Sequence, residues 1–291
     1  MSGSAADRIA AAPISWGVCE VPGWGHQLPP RTVLGQMHEL NIAATELGPD
    51  SFLPTDPEAA AALLRSYDLD AVGGFVPVVL HDGDPLPAIE PALRHLTAAG
   101  ATILVLAAAT GRDGYDERPT LDDGQWAALL ENLDRIRDVA AERGVTATLH
   151  PHVGTMVQRR DEVDRVLAGS DVPLCLDTGH LLIGGTDPVD LARQVPDRIA
   201  HTHLKDVDAA LAGRVQRGEV GYTEAVRRGV YHPLGAGDID IAAIVTSLEG
   251  SGYRGWYVME QDAMLDTEPA PDEGPIADVR ASLEFLGKLA A

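Results

Sequence analysis

A closed (β/α)8 barrel is the fold this chain predicts, and three observations predict it. Short apolar runs alternate with longer amphipathic stretches, eight of each, which is the rhythm of βα units around a parallel sheet. A doubly wound sheet would usually show a glycine-rich phosphate loop after an early strand, and neither GxGxxG nor GxxxxGK(S/T) occurs. The length, 291 residues, suits one barrel, a fold that commonly runs to about 250 residues.

The elements follow in order. Residues 1–11 are expected to be a flexible tail, without the charged region and apolar run of a signal peptide. The first strand is placed at Pro13–Gly17, with a helix at Pro30–Leu40. Strands at Ala44–Gly48 and Ala71–Leu80 follow, each leading into a helix, Pro57–Tyr67 and Ile89–Ala99. The fourth and fifth units pair Thr102–Ala108 with Asp122–Arg143 and Thr146–His150 with Asp161–Ala168. The sixth pairs Leu174–Asp177 with Pro188–Val195, and the seventh pairs Ile199–Leu204 with Ile239–Glu249. The last strand, Gly255–Glu260, precedes the helix Ile276–Leu289. Prolines such as Pro57 and Pro188 suit first-turn positions, where the missing N–H costs nothing. No linker divides the chain, so residues 1–291 form one domain. The stretch 206–237 is too long for a βα loop and contains a helix-like piece, Leu211–Arg228. It reads as a lid over the barrel mouth.

Composition narrows the partners. The net charge of −22 argues against nucleic acid, since a polyphosphate needs a basic face; it reads first as surface Asp and Glu that keep the protein in solution, and second as a site field that suits a cation and an uncharged substrate. No 18-residue apolar run is present to span a membrane. Cys19 and Cys175 make neither a disulfide framework nor a zinc motif, so a soluble cytoplasmic enzyme is expected.

In such a barrel the active site lies at the C-terminal ends of the strands, and those ends are rich in His, Asp and Glu. The second strand ends at Glu46, and the fifth runs into His150-Pro151-His152. The sixth ends in Asp177-Thr178-Gly179-His180, the seventh in His201-Thr202-His203-Leu204-Lys205-Asp206, and the eighth in Glu260-Gln261-Asp262. Mixed nitrogen and oxygen donors of this kind suit Mn²⁺, Co²⁺, Zn²⁺ or Fe²⁺ better than Mg²⁺ alone. Asp177 could serve as a helix cap before Leu181. At the end of the apolar run Leu174–Leu176, however, its charge needs a partner that a metal would supply. His201 and His203 are read as pointing to opposite faces, with His203 entering the barrel, and His150 and His152 pose the same choice.

At these residues the chain resembles the sugar phosphate isomerase/epimerase group of xylose isomerase-like barrels, and within it the inosose dehydratases. The opening Ile14-Ser15-Trp16-Gly17-Val18-Cys19-Glu20-Val21-Pro22-Gly23-Trp24-Gly25, the segment His150-Pro151-His152-Val153-Gly154-Thr155 and the final Glu260-Gln261-Asp262 point to the dehydratase branch. Asp177-Thr178-Gly179-His180 and His203-Leu204-Lys205-Asp206 are shared across the superfamily. The resemblance implies one divalent metal ion, Mn²⁺ or Co²⁺ first, held by His150, Asp177, His203 and Glu260. His150 stands where the epimerases carry a glutamate. The implied reaction, a step of inositol catabolism, is loss of water from 2-keto-myo-inositol or a related polyhydroxy ketone to give a dione. Glu260 is the expected base, and His152 or Lys205 the expected acid. Glu46 and His180 would bind substrate hydroxyls while Trp16 and Trp24 wall the pocket. A dimer or tetramer is expected from the fold.

Two other readings use the same scaffold. A ketose or cyclitol isomerase or epimerase would reprotonate the same intermediate. A non-catalytic sugar-binding barrel would need no open metal site. A metal-dependent nuclease is distant, because it needs a basic surface.

Overall fold

The computed structural model describes residues 4–50, 52–270 and 272–289. The strands are β1 (Ile9–Ala11), β2 (Ala44–Glu46), β3 (Asp70–Val78), β4 (Ile103–Ala108), β5 (Thr146–Leu149), β6 (Leu174–Asp177) and β7 (Ile199–Leu204), then β8 (Asp206–Val207), β9 (Tyr231–His232) and β10 (Tyr257–Met259). Eight of them close a parallel barrel in the order β1-β10-β7-β6-β5-β4-β3-β2, while β8 and β9 form a separate antiparallel ribbon. The helices are α1 (Pro30–Glu39), α2 (Pro57–Arg65), α3 (Leu86–Ala99), α4 (Asp123–Ala141), α5 (Arg160–Gly169) and α6 (Thr178–Ile183). They continue with α7 (Pro188–Gln194), α8 (Ala209–Gln216), α9 (Tyr222–Arg227), α10 (Ile241–Ser251) and α11 (Pro275–Leu289).

Local chemistry explains the helix starts. Pro30, Pro57 and Pro188 stand in the first turn, where no N–H is needed. Asp56, Asp122, Asp187, Asp208 and Asp240 each cap a helix by accepting from a backbone N–H. Part of the acidic surplus is therefore spent on helix ends.

The barrel has two hydrophobic layers. Outside, the strands pack on the helices through residues such as Leu104, Leu106, Leu149, Leu174 and Leu204, which are fully buried. Inside lie smaller groups, Ala10, Ala12, Ala44, Val72 and Val258, beside Ile103, Val105 and Cys175. Ionisable side chains take over toward the C-terminal ends of the strands.

The first strand departs from expectation. Pro13–Trp16 is a 3-10 turn, and β1 lies upstream at Ile9–Ala11, inside the stretch expected to be a flexible tail. Proline cannot donate to a ladder, so the strand ends before Pro13. Ile9, Ala10 and Ala11 pair in register with Tyr257, Val258 and Met259. Arg8 anchors this segment by donating to Gly255 O at 2.9 Å and to Glu249 Oε1 at 2.6 Å. Its guanidinium also lies over the rings of Tyr253 and Tyr257. The expected tail is therefore structured from Ala5 onward, as the 3-10 turn Ala5–Arg8 followed by β1, and Met1–Gly3 lie outside the described residues.

The insertion after β7 is ordered. It carries the β8–β9 ribbon and two helices, α8 and α9, where one helix-like piece was expected. The Asp206 carboxylate accepts from the backbone N–H groups of Val207, Gly235, Gly237 and Ile239 at 2.8–3.0 Å. Gly237 is required there, because a Cβ would stand 2.3 Å from Asp206 Oδ1.

Asp206→Ala would strand several buried N–H groups, at a cost of at least about 3 kcal/mol. Hydrogen exchange should show Gly235, Gly237 and Ile239 losing protection before the barrel strands do. Uniform loss across the barrel would contradict this. Glu249 supplies a pH test. Burial opposes its ionisation, but the Tyr257 hydroxyl and Arg8 outweigh that and hold its carboxyl below the usual range. Its contribution is present at neutral pH and fades as the pH falls below the ordinary carboxylate range. Glu249→Gln should thus be less stable than the parent in denaturant at pH 7, with the gap narrowing as the pH falls below the ordinary carboxylate range.

Candidate active site

Side chains two apart on a strand share a face. That rule places Cys175 and Asp177 of β6 inside the barrel, together with His201 and His203 of β7. It also corrects the expectation for the two histidines, which both enter the lumen. Each donates through Nε2 to Glu46 Oε1, His201 at 2.8 Å and His203 at 2.9 Å. His150 and His152 likewise share one cavity, with ring centroids 5.3 Å apart.

Asp177 resolves its two readings by dividing its oxygens. Oδ1 caps α6 through His180 N at 2.7 Å, while Oδ2 meets His150 Nε2 at 3.0 Å and Lys205 Nζ at 2.8 Å. Lys205 Nζ also donates to Glu260 and faces Asp262 Oδ1 at 3.2 Å. Gly179 lets the lysine in, since a Cβ there would stand 2.8 Å from Lys205 Cβ and 2.7 Å from the Tyr231 ring. His203 Nδ1 lies 3.1 Å from Glu260 Oε2 and 3.7 Å from Asp177 Oδ2, but hydrogen bonds to neither.

The charges answer one another. Burial works against ionised Glu46, yet His203 and His201 hold its carboxyl well below the usual range. Burial similarly opposes ionised Asp177 and Glu260, and is outweighed by Lys205 for the first and by His203 and Lys205 for the second. Lys205 is held protonated by Asp177, Asp262 and Glu260 against its own burial. Asp262 is the exception: burial pushes it up to about 6. Burial and neighbouring imidazoles keep His152 and His180 neutral, with rings 3.7 Å apart at 33°.

Several of these groups open on a cavity of about 590 Å³, whose wall includes Glu46, His150, His152, His180, His203, Lys205 and Glu260. Phe75, Tyr115 and Trp24 add apolar faces, and Trp24 Nε1 donates to Ala263 O at 2.9 Å. Asp177 lies just beneath. Trp16 does not belong to this wall: it is fully buried, and its Nε1 donates to Gln36 Oε1 of α1 at 2.7 Å. Its place after Pro13, in the 3-10 turn, points it into the helical layer.

Phe75, Tyr115, Asp262 and Tyr222 were not anticipated as site residues. Asp262 continues the period-two alternation of Glu260 beyond β10, a signal present in the sequence. Tyr222 has no such signal, because it comes from α9 of the insertion and reaches Asp262 Oδ2 at 2.6 Å only through the tertiary fold.

Asp177, His203 and Glu260 each offer a donor atom within 4.8 Å of the others, and so do His150, Asp177 and His180. Two more groups among the described residues, His150 with Cys175 and His203, and Glu46 with His201 and His203, meet the same condition, and each of the four could hold a metal ion. His150 joins Asp177 and His180, or Cys175 and His203, rather than Glu260. The chemistry of the set fits a cation. Glu46, Asp177, Glu260 and Asp262 outnumber the positive groups Lys205 and His203, and the buried Nδ1 atoms of His150 and His203 have no hydrogen-bond partner among the described residues.

Comparison with known proteins agrees with this architecture. The profile of the xylose isomerase-like TIM barrel family matches residues 84–289. An inosose dehydratase of Geobacillus kaustophilus (strain HTA426) is 32% identical over 297 residues, covering 97% of this chain and 94% of that protein. The rhizopine catabolism protein MocC of Rhizobium meliloti is 33% identical, covering 98% and 89%. Among solved structures, the 3-keto-D-glucoside 4-epimerase YcjR of E. coli superposes with a TM-score of 0.67 at 18% identity, covering 97% of this chain and 99% of that one. The IOLI protein with a zinc atom gives 0.67 at 12% identity, covering 97% and 98%. At these identities the structures speak for the fold alone. Barrel closure, strand order and the full-length match together show that this chain belongs to the xylose isomerase-like TIM barrel family.

Proposed function

We propose that this barrel is a metal-dependent dehydratase of a cyclic polyhydroxy ketone, 2-keto-myo-inositol or a near relative. The full-length likeness to inosose dehydratase supports the substrate class. The observation that carries the reaction type is an asymmetry in the cavity. One carboxylate, Glu260, is kept ionised on the β10 side, while the β5 side offers the His150 imidazole, tied to Asp177, instead of a second carboxylate. A symmetric epimerisation with carboxylates on the β5 and β10 sides lacks the first of its two bases, whereas a one-sided elimination needs only Glu260.

Asp177, His203 and Glu260, with His150 beside them, would hold the divalent ion, Mn²⁺ or Co²⁺ by the mixture of donors. Bound there, the ion would polarise the ketone oxygen and stabilise negative charge developing on it. Glu260 takes the proton from the carbon next to the carbonyl. Lys205, held protonated, gives a proton to the departing β-hydroxyl, so water leaves and a carbon–carbon double bond forms before the product settles as the dione. His152 suits the acid role less well. It is neutral, and its Nδ1 lies 2.6 Å from Val153 O, which leaves Nε2 as a lone pair that accepts from a substrate hydroxyl. His180 contacts hydroxyls beside it. Trp24, Phe75 and Tyr115 cover the apolar edge of the ring and keep water out, with α9 above them.

The free Nε2 of His152 supports a second reading, since its lone pair could take a proton from the substrate as the second base of an isomerase or epimerase does. One assay separates the two. Protein stripped with a chelator and reloaded with Mn²⁺ or Co²⁺ should turn 2-keto-myo-inositol into dione, read by absorbance. Glu260→Gln should lower kcat by about 100- to 10,000-fold. Proton exchange next to the ketone without dione would favour the epimerase, and activity that survives chelation would refute metal dependence. The pocket wall gives a further test. Trp24→Leu should raise KM for the ketone, whereas Trp16→Phe should lower the melting temperature and leave KM unchanged.

A further inference from the structure

We infer that Glu46 is a positioning residue for the cation site, acting through the His203 ring rather than on substrate. The inference rests on the proposal above only in taking Asp177, His203 and Glu260 as the residues that hold the ion.

A ring nitrogen can bind a cation only with a lone pair, and a neutral imidazole has one lone pair and one N–H. Which nitrogen keeps the proton is decided by the acceptor it faces. Across the lumen, Glu46 Oε1 stands 2.9 Å from His203 Nε2. A proton on Nε2 pointed at this carboxylate leaves Nδ1 as the lone pair. Nδ1 is the atom turned toward Glu260 Oε2 and Asp177 Oδ2, at 3.1 and 3.7 Å. The same contact fixes the rotation of the ring.

The barrel is built to hold Glu46 in this role. The β2–β3 register shifts between Thr45 and Glu46, and such an irregularity re-aims a side chain near a site. Opposite Glu46, β3 carries Gly73, whose missing side chain leaves room: a Cβ there would stand 3.5 Å from Glu46 Oε1 and 3.0 Å from Ile103 O. His201, fully buried one step below His203, reaches the same oxygen at 2.8 Å and anchors it from beneath. Oε1 is thereby committed to the two imidazoles, and the hydroxyl-binding role expected for Glu46 from the sequence would fall to its other carboxylate oxygen, since Glu46 also lines the cavity.

The test compares the full-length protein with Glu46→Gln, which keeps the shape and removes the charge. Zn²⁺ affinity, measured by competition with a chromogenic chelator, should weaken by about 10- to 100-fold. KM for the ketone at saturating metal should stay unchanged. Nitrogen-15 spectra of the Zn²⁺-loaded parent should show His203 Nε2 protonated and Nδ1 shifted by the metal. Unchanged Zn²⁺ affinity in the variant would overturn the inference, and so would a raised KM with unaltered affinity. If the variant does not fold, the parent spectra still decide, because an unprotonated Nε2 refutes the role and a protonated one supports it. Tight Zn²⁺ binding that depends on Glu46 in a protein that forms no dione would sink the dehydratase reading and leave this inference standing. A parent that takes up no divalent ion would overturn both.

Discussion

Ionised groups are costly to remove from water, and this barrel gathers several of them at one end of its lumen. That constraint governs the surrounding structure. Asp177 divides its oxygens between a helix cap and the site, Glu46 is met by two imidazoles, and Lys205 lies among three carboxylates. Each charge is tolerable only because its neighbours are fixed. The strands that carry them, flanked by apolar layers inside and out, cannot drift without breaking the pairing. The resulting negative excess makes a divalent cation the natural complement of the set.

The insertion after β7 obeys the same logic at the barrel mouth. Asp206 begins it as a buried carboxylate and is answered by backbone N–H groups instead of a cation. By gathering Gly235, Gly237 and Ile239, it folds the segment back over the site and brings Tyr222 to Asp262. The loop after β4 meets it from the other side, where Asp116 accepts from Thr223 N at 3.2 Å and Thr223 Oγ1 at 2.6 Å. The cover is thus a set of polar contacts over a cavity whose ionisable groups are flanked by the apolar faces of Phe75, Tyr115 and Trp24.

Much of this was legible along the chain, and the exceptions have identifiable causes. Strands β6 and β7 were read at their true ends because their apolar runs stop at polar residues. Strand β1 was displaced because Ile9–Ala11 is short and its residues are small. The neighbouring Pro13-Ile14-Ser15-Trp16 looked more strand-like, although Pro13 cannot join a ladder. His201 was assigned to the wrong face although period two already placed it beside His203. Asp262 was equally available from that alternation.

What the sequence alone determined is the alternation of strands and helices, the delivery of His, Asp and Glu to one rim, and the motifs that mark the family. These depend on local periodicity and on residue types, which a linear reading preserves. Only the tertiary structure decided which of those groups meet. Glu46 and His203 are 157 residues apart, and no local pattern says that the lumen brings them to 2.9 Å. Trp16 was excluded from the cavity, and Tyr222 was brought to it, for the same reason. Contact across a closed barrel is set by strand order, register and ring closure, and these belong to the whole sheet.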